Sequence, residues 1–328
     1  MSRITHQPGR HCASTAIADV SHFHGLNWSE AFCFGLGGGL GLFYLEMPRG
    51  SPSRLLHVRS ADYESNFFAR LGHRFQWRQS TDPAAGERAL WDALATGHPA
   101  LVQTDLFYLP YYGSHTHFPG HLVVVWDYDA ARQVYRVTDT ERPQVLELSR
   151  EALAAARFSR EGPFPLSGQF YAPECMTTPE DLPARLHAAI LANSASLLSG
   201  RASFQGLAAL ARWQADLSRW PGLADWQWTA RFAYQIIEKR GTGGGAFRSL
   251  YADFLAEAAA WLPAISDLQL EPRMREVASL WTDLANTLKR ASESEDPSFG
   301  GIASLLAELE ASERAWHEMA IRLPLAAK

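Results

Sequence analysis

Three residues far apart in the chain have the types that nucleophilic catalysis needs: Cys12, His121 and Asp139. Upstream of Gly25 the apolar residues Ala13, Ala16, Ile17, Val20 and Phe23 recur at helical spacing, which puts Cys12 on the first turn of a helix. There the leading backbone N–H groups and the positive end of the macrodipole favour the thiolate, the form that attacks a carbonyl. Position alone does not settle the role, because cysteine is also among the most buried residue types.

His121 and Asp139 enter through a hairpin. Segments 121–128 and 133–139 read as strands. A three-residue connection, Asp129 to Ala131, sets Val125 opposite Tyr135, Val123 opposite Val137 and His121 opposite Asp139. Opposed residues have Cβ atoms about 4.5–5.5 Å apart, so an imidazole and a carboxylate would meet at the open end of an apolar face. Asp127 is the poorer orienter, since six residues along a strand place it roughly 20 Å from His121. The side chain of His11 diverges from that of Cys12, which argues against it as the base. In the resulting set the thiolate attacks, the imidazole moves the proton and the carboxylate fixes the ring tautomer. His115, His117 and His121 could also suit zinc. No carboxylate or cysteine follows them at ligand spacing, so no metal is expected, and segment 106–120 reads instead as a loop over the site.

The elements around these residues are of two kinds. With 328 residues and a prior of about 100–200 per domain, the chain should hold one large or two ordinary domains. The first half mixes helices, such as 84–95, with strand-like stretches at 42–47 and 55–58 and an alternating 74–78. From Thr178 nearly everything reads as helix, with expected helices at 182–198, 204–220, 226–240, 247–262, 273–291 and 302–322. The fold class is therefore α+β with an antiparallel sheet, followed by an all-α region, and the expected domains are 1–174 and 175–328.

Composition narrows the function. Thirty Lys+Arg against 35 Asp+Glu give a net charge of −5, which favours neither a nucleic-acid coat nor a binder of anionic membranes. No window offers the roughly 20 apolar residues of a membrane span, and Met1 to Gly9 is too polar for a signal peptide, so a soluble cytoplasmic protein is expected. The three cysteines are odd in number and far apart, which fits neither a disulfide framework nor zinc spacing.

Two glycine runs stand out. The run from Gly35 to Gly41 follows a helix-like segment and precedes a strand-like one, the reverse of a dinucleotide-binding loop. Such a density of glycine, with Gly37, Gly38 and Gly39 at its centre, means that backbone approaches something closely, either another segment or a substrate. The second run, Gly241 to Gly245, joins two helices just after Glu238 and Arg240, and reads equally as a flexible turn or as a closure over substrate.

Gly9-Arg10-His11-Cys12-Ala13-Ser14-Thr15-Ala16, His24-Gly25, the Gly35 to Gly41 run and Gly120-His121 resemble the N-terminal domain of the butirosin biosynthesis protein H family. Residues 237–245 resemble the helical domain of unknown function that often follows it. The order Cys, His, Asp also resembles papain-like peptidases that trim leader peptides during bacteriocin export. Those peptidases carry an oxyanion-donating glutamine six residues before the cysteine, where this chain has His6, with Gln7 one residue later. The resemblance implies a papain-like cysteine acyltransferase. It would move an acyl group from an acyl-carrier-protein thioester, through Cys12, to a small-molecule amine, with the helical domain supplying an acceptor pocket or lid. No cofactor is implied beyond the phosphopantetheine thioester carried by the donor. A hydrolase of the same fold and a non-catalytic binding protein are the alternatives. Acyl group, acceptor and oligomeric state, a homo-oligomer included, are left open.

Overall fold

The computed structural model describes residues 4–161, 165–200, 202–295 and 299–325. In chain order the elements are α1 (Cys12–Phe23), α2 (Glu30–Leu36), β1 (Leu40–Glu46), β2 (Arg54–Arg59), α3 (Tyr63–Arg70), α4 (Pro83–Ala95), β3 (Ala100–Asp105), β4 (Pro119–Asp129), β5 (Val134–Thr138), β6 (Leu146–Ser149), α5 (Arg150–Arg157) and β7 (Phe170–Tyr171). The helices α6 (Leu182–Ser199), α7 (Leu207–Asp216), α8 (Trp226–Glu238), α9 (Arg248–Ala258), α10 (Ala264–Asp267), α11 (Leu270–Ser292) and α12 (Gly300–Ala320) follow. The fold is α+β, with the larger antiparallel sheet in the first half and helices in the second. Contacts group residues 1–33 with 71–179, and residues 34–70 with 180–328, so the glycine run packs with the helices that follow it by more than a hundred residues.

The first unit is built on a five-stranded sheet of order β6-β5-β4-β3-β7, every neighbouring pair antiparallel. One face of it buries Val102, Val123, Val125, Tyr135, Val137 and Phe170 together with Leu90 of α4 and Leu153 of α5. The short helix α1 packs on β4 and β3. It is buried along Ala13–Ser21, and its Ala, Ser and Thr side chains let a helix come close to strands. The alternating segment 74–78 makes only a single bridge, Arg78 to Phe170.

The hairpin register differs from the expected one. Asp129 pairs with Val134 and Tyr128 with Tyr135, so the connection has four residues, Ala130 to Gln133, and closes with Gln133 at φ 55°. Asp129 Oδ1 accepts the N–H groups of Ala131 and Arg132, the turn chemistry that selects the longer loop. Between Val125 and Asp127 the ladder shifts by one, leaving Trp126 as a bulge, after which Val125 pairs with Val137 and Val124 with Thr138. His121 and Asp139 are therefore not directly opposed. Extending the shifted register puts Asp139 across from Val123, one diagonal step from His121 and on the same face.

In the second unit β1 and β2 form a two-stranded antiparallel sheet. The glycines between α2 and β1 serve close approach: a Cβ at Gly35 would lie 1.9 Å from the Phe254 ring, one at Gly37 2.3 Å from Tyr63, and one at Gly39 2.4 Å from Phe34. Glu313 of α12 is fully buried and accepts hydrogen bonds from Arg248 of α9 and Trp281 of α11, with His317 on its other oxygen. The helices expected at 204–220 and 247–262 are shorter, since α7 gives way to a 3-10 turn through Pro221, and Pro263 follows the end of α9 before α10. No helix among the described residues is long and apolar enough to cross a membrane.

Candidate active site

Helix α1 begins at Cys12, so the Cys12 N–H is one of the leading four that the helical ladder does not use. Cys12 is half-buried and outside any disulfide. His11 is the N-cap: its backbone is extended and its Nδ1 accepts the N–H of Ser14 at 3.3 Å, which assigns it a structural place beside the sulfur. Glu30, at the start of α2, fixes this turn from below. Its carboxylate accepts the N–H of Arg10 at 2.9 Å and of His11 at 2.6 Å, and the hydroxyls of Ser14 and Thr15. Gly9 is required by the same crowding, because a Cβ there would fall 2.0 Å from Thr15 Oγ1 and 2.9 Å from the Glu30 carboxylate.

His121, near the start of β4, turns Nε2 onto Asp139 Oδ1 at 2.8 Å. Its side chain also hydrogen-bonds Cys12, and since Asp139 engages Nε2, Nδ1 is the nitrogen left for the sulfur. Burial opposes charge on the ring, but the Asp139 carboxylate and the contact with Cys12 outweigh it and raise His121 to about 10. Burial likewise opposes charge on Asp139, and the His121 cation with its hydrogen bonds outweighs this and holds the carboxyl below its usual range. The imidazolium–carboxylate form is thus the ground state at neutral pH, and an imidazolium beside a thiol stabilises the thiolate.

Asp139 has further partners that sequence reasoning missed. Tyr111 donates to Oδ2 at 2.8 Å, Tyr112 to Oδ1 at 3.2 Å and Thr140 Oγ1 to Oδ1 at 3.0 Å. Burial, then the Asp139 charge, push both phenols above their ordinary range, so they stay donors. A tandem Tyr-Tyr in a loop expected to cover the site was the available signal.

His6 occupies the place of the expected oxyanion glutamine, yet it is spent on architecture. Nδ1 meets Asp19 Oδ2 at 2.7 Å and Nε2 donates to the Arg142 carbonyl at 2.7 Å. Burial disfavours its charge, but Asp19 and the carbonyl, which face its two nitrogens, outweigh this and raise its pKa. Asp19 Oδ2 also accepts Thr138 Oγ1 at 2.7 Å, and Gly9 N–H donates to the Thr140 carbonyl at 2.8 Å. These bonds lace the segment leading to Cys12 along the chain on either side of Asp139. Gln7 lies exposed in that segment.

The structure thus brings Cys12, His121 and Asp139 together and sends the other candidates elsewhere. His117 sits on Asp105 at 2.7 Å and His115 is exposed; among the described residues no three metal-ligating groups converge. Asp127 pairs with Arg136. Gly37, Gly38 and Gly39 are buried in the second unit, where aromatic rings occupy the space a side chain would take at Gly37 and Gly39, and Gly38 has φ +64°. Glu238 accepts Gly245 N–H at 3.0 Å and Thr282 Oγ1 at 2.8 Å, closing the second glycine turn; Arg240 reaches Gln235 and lies over the Phe232 ring, 4.7 Å from its centroid.

Two family models match the chain. One, described as butirosin biosynthesis protein H, N-terminal, covers residues 11–140, and therefore the whole Cys12, His121 and Asp139 set. The other, a domain of unknown function (DUF4872), covers residues 151–320. No curated protein matches the chain.

Proposed function

The chain belongs to the family that joins a butirosin biosynthesis protein H N-terminal domain to DUF4872, and on that premise we propose that it is a papain-like cysteine acyltransferase of antibiotic-type specialised metabolism. The observation that carries this reading is the continuous chain of contacts from Asp139 through His121 to Cys12.

The Cys12 thiolate attacks the thioester carbonyl of an acyl group on a carrier protein. The oxyanion that forms lies against the start of α1, where backbone N–H groups and the helix dipole oppose its charge. Gln7, exposed and five residues before Cys12, is the remaining amide candidate for a further donor. The tetrahedral adduct collapses by breaking the bond to the phosphopantetheine sulfur, which takes the proton of the His121 imidazolium and leaves as a thiol. One thioester has replaced another, so the exchange is close to isoenergetic. An amine then attacks the acyl-Cys12 carbonyl, neutral His121 accepts the ammonium proton, and the C–S bond breaks to give an amide and restore the thiolate–imidazolium pair. Asp139 holds Nε2 throughout and so keeps Nδ1 toward the sulfur.

Incubation with an acyl-carrier thioester and a panel of amines, followed by mass spectrometry of intact protein and products, tests the proposal. It requires an acyl adduct on Cys12 that is lost in Cys12→Ala, and amide formed in proportion to amine. Free acid released at the same rate whatever the amine would assign hydrolysis instead. An absence of any adduct on the wild-type protein would leave a binding protein.

A further inference from the structure

We propose that Asp105, outside the reacting set, positions Asp139 by latching the loop that carries Tyr111 and Tyr112. The inference rests on the assignment of Cys12, His121 and Asp139 made above.

Asp105 ends β3 and is fully buried. Its carboxylate accepts the N–H of Phe107 at 3.1 Å and the N–H of Phe118 at 2.8 Å, the two feet of the loop between β3 and β4. His117 Nδ1 and Ser159 Oγ complete its shell, each at 2.7 Å. Burial opposes the charge, and these four donors outweigh it and keep the carboxyl below its usual range. Four donors on two oxygens require a group that only accepts, which explains an aspartate here: an asparagine would turn an NH2 toward at least one of them.

The feet are also joined by the bond from the Leu106 N–H to the Phe118 carbonyl at 3.3 Å, and the loop between them packs Tyr108, Tyr111 and Tyr112 against the core of the sheet. Leu109 is buried, and the 3-10 turn 106–108 is continued by turn bonds from Tyr112 to Leu109 and from Gly113 to Pro110. Phe107 stacks on the His117 ring at 4.1 Å and so packs the two feet together. At the far end the two phenols donate to opposite oxygens of Asp139, and Tyr112 also lies 3.4 Å from His121 Nε2. The Arg142 guanidinium covers the Tyr112 ring at 4.9 Å. One carboxylate closes the base of the loop and the other receives its tip. With the feet released, the phenols lose their fixed reach, Asp139 keeps fewer donors, and the carboxylate charge acts more strongly on His121.

The readout is the rate of Cys12 alkylation by iodoacetamide against pH, which needs no substrate. In wild type the alkaline limb marks deprotonation of His121 beside the thiolate. Replacing both phenols, Tyr111→Phe with Tyr112→Phe, should move that limb upward by about 0.5 pH units, the equivalent of ~0.7 kcal/mol. Asp105→Asn should move it in the same direction by a similar amount, and the triple variant should move it no further, because the changes act through one path. Ser159→Ala, which leaves both feet held, should leave the limb in place. Should Asp105→Asn not fold, Asp105→Ser serves, since its hydroxyl caps Phe107 N–H but cannot span to Phe118. An unmoved limb in the Asp105 variants, or a triple shift equal to the sum of the parts, overturns the proposal. Wild-type Cys12 that alkylates no faster than an ordinary thiol overturns the assignment beneath it.

Discussion

Replacing Asp139 by asparagine should separate the charge on His121 from everything else at the site. The side chain keeps its size and an oxygen to face the ring, but the negative charge is gone. His121 is raised from 6.5 to about 10 against the opposing effect of burial, with Asp139 the largest favourable contribution. At about 1.4 kcal/mol per pH unit, that preference for the protonated ring is on the order of 5 kcal/mol. Without the carboxylate, burial is opposed only by the contact with Cys12, and the ring's pKa falls from about 10. The thiolate then loses its cationic neighbour at neutral pH. Alkylation of Cys12 by iodoacetamide at pH 6 should fall by about 100-fold or more and recover only as the pH approaches an ordinary thiol value near 8.5. Acyl transfer should drop further, toward the roughly 10⁴-fold loss that the corresponding change causes in serine triads. An Asp139→Asn protein whose alkylation profile overlays that of wild type would refute the claim that this carboxylate charges His121.

The same pair makes stability depend on pH. The folded pKa of His121 is raised, so its contribution is complete below 6.5 and disappears as pH rises through about 10; urea midpoints of wild type and Asp139→Asn should converge across that window. Glu30→Ala should destabilise by about 1–3 kcal/mol, because it strips an acceptor from the N–H groups before Cys12, and should lower kcat more than KM; urea unfolding with steady-state kinetics checks it. Gly37→Ala should cost about 1–3 kcal/mol through collision with Tyr63 while leaving the alkylation profile of Cys12 unchanged; lost turnover at unchanged stability would return Gly37 to the substrate-contact reading. Glu313→Leu should cost about 3–5 kcal/mol by leaving Arg248 and His317 buried without their carboxylate, measured by denaturant unfolding. Glu313 titrates at about 2, so its stabilisation is present above 4.5 and lost as pH falls through about 2.

What the sequence showed and what it hid follow from the range of the interactions. Cys12 at a helix start was legible because helical periodicity and a terminal Gly25 are local signals. The second-half helices were legible for the same reason. His6, Glu30, Tyr111 and Tyr112 were not, since each acts on a partner brought near only by folding: His6 meets Arg142 across 136 positions. The glycine run declared close approach, but its partner ring, Phe254, lies more than two hundred residues downstream.

The hairpin is the sharper case, because the correct pair came from an incorrect register. A four-residue connection without a bulge would carry the Tyr128–Tyr135 register along the whole ladder and set Asp139 across from Val124, whose side chain points to the other face of the sheet from His121. The extra residue at Trp126 moves every later pair by one, returning Asp139 to the face of Val123 and His121. Trp126 is held in place by the bond from its indole N–H to Thr138 Oγ1 at 3.0 Å, and Thr138 in turn donates to Asp19 of α1. The bulge that aims the carboxylate is therefore tied to the helix that presents the sulfur. Neither the turn nor the bulge alone would unite His121 with Asp139; the parity of the two together does.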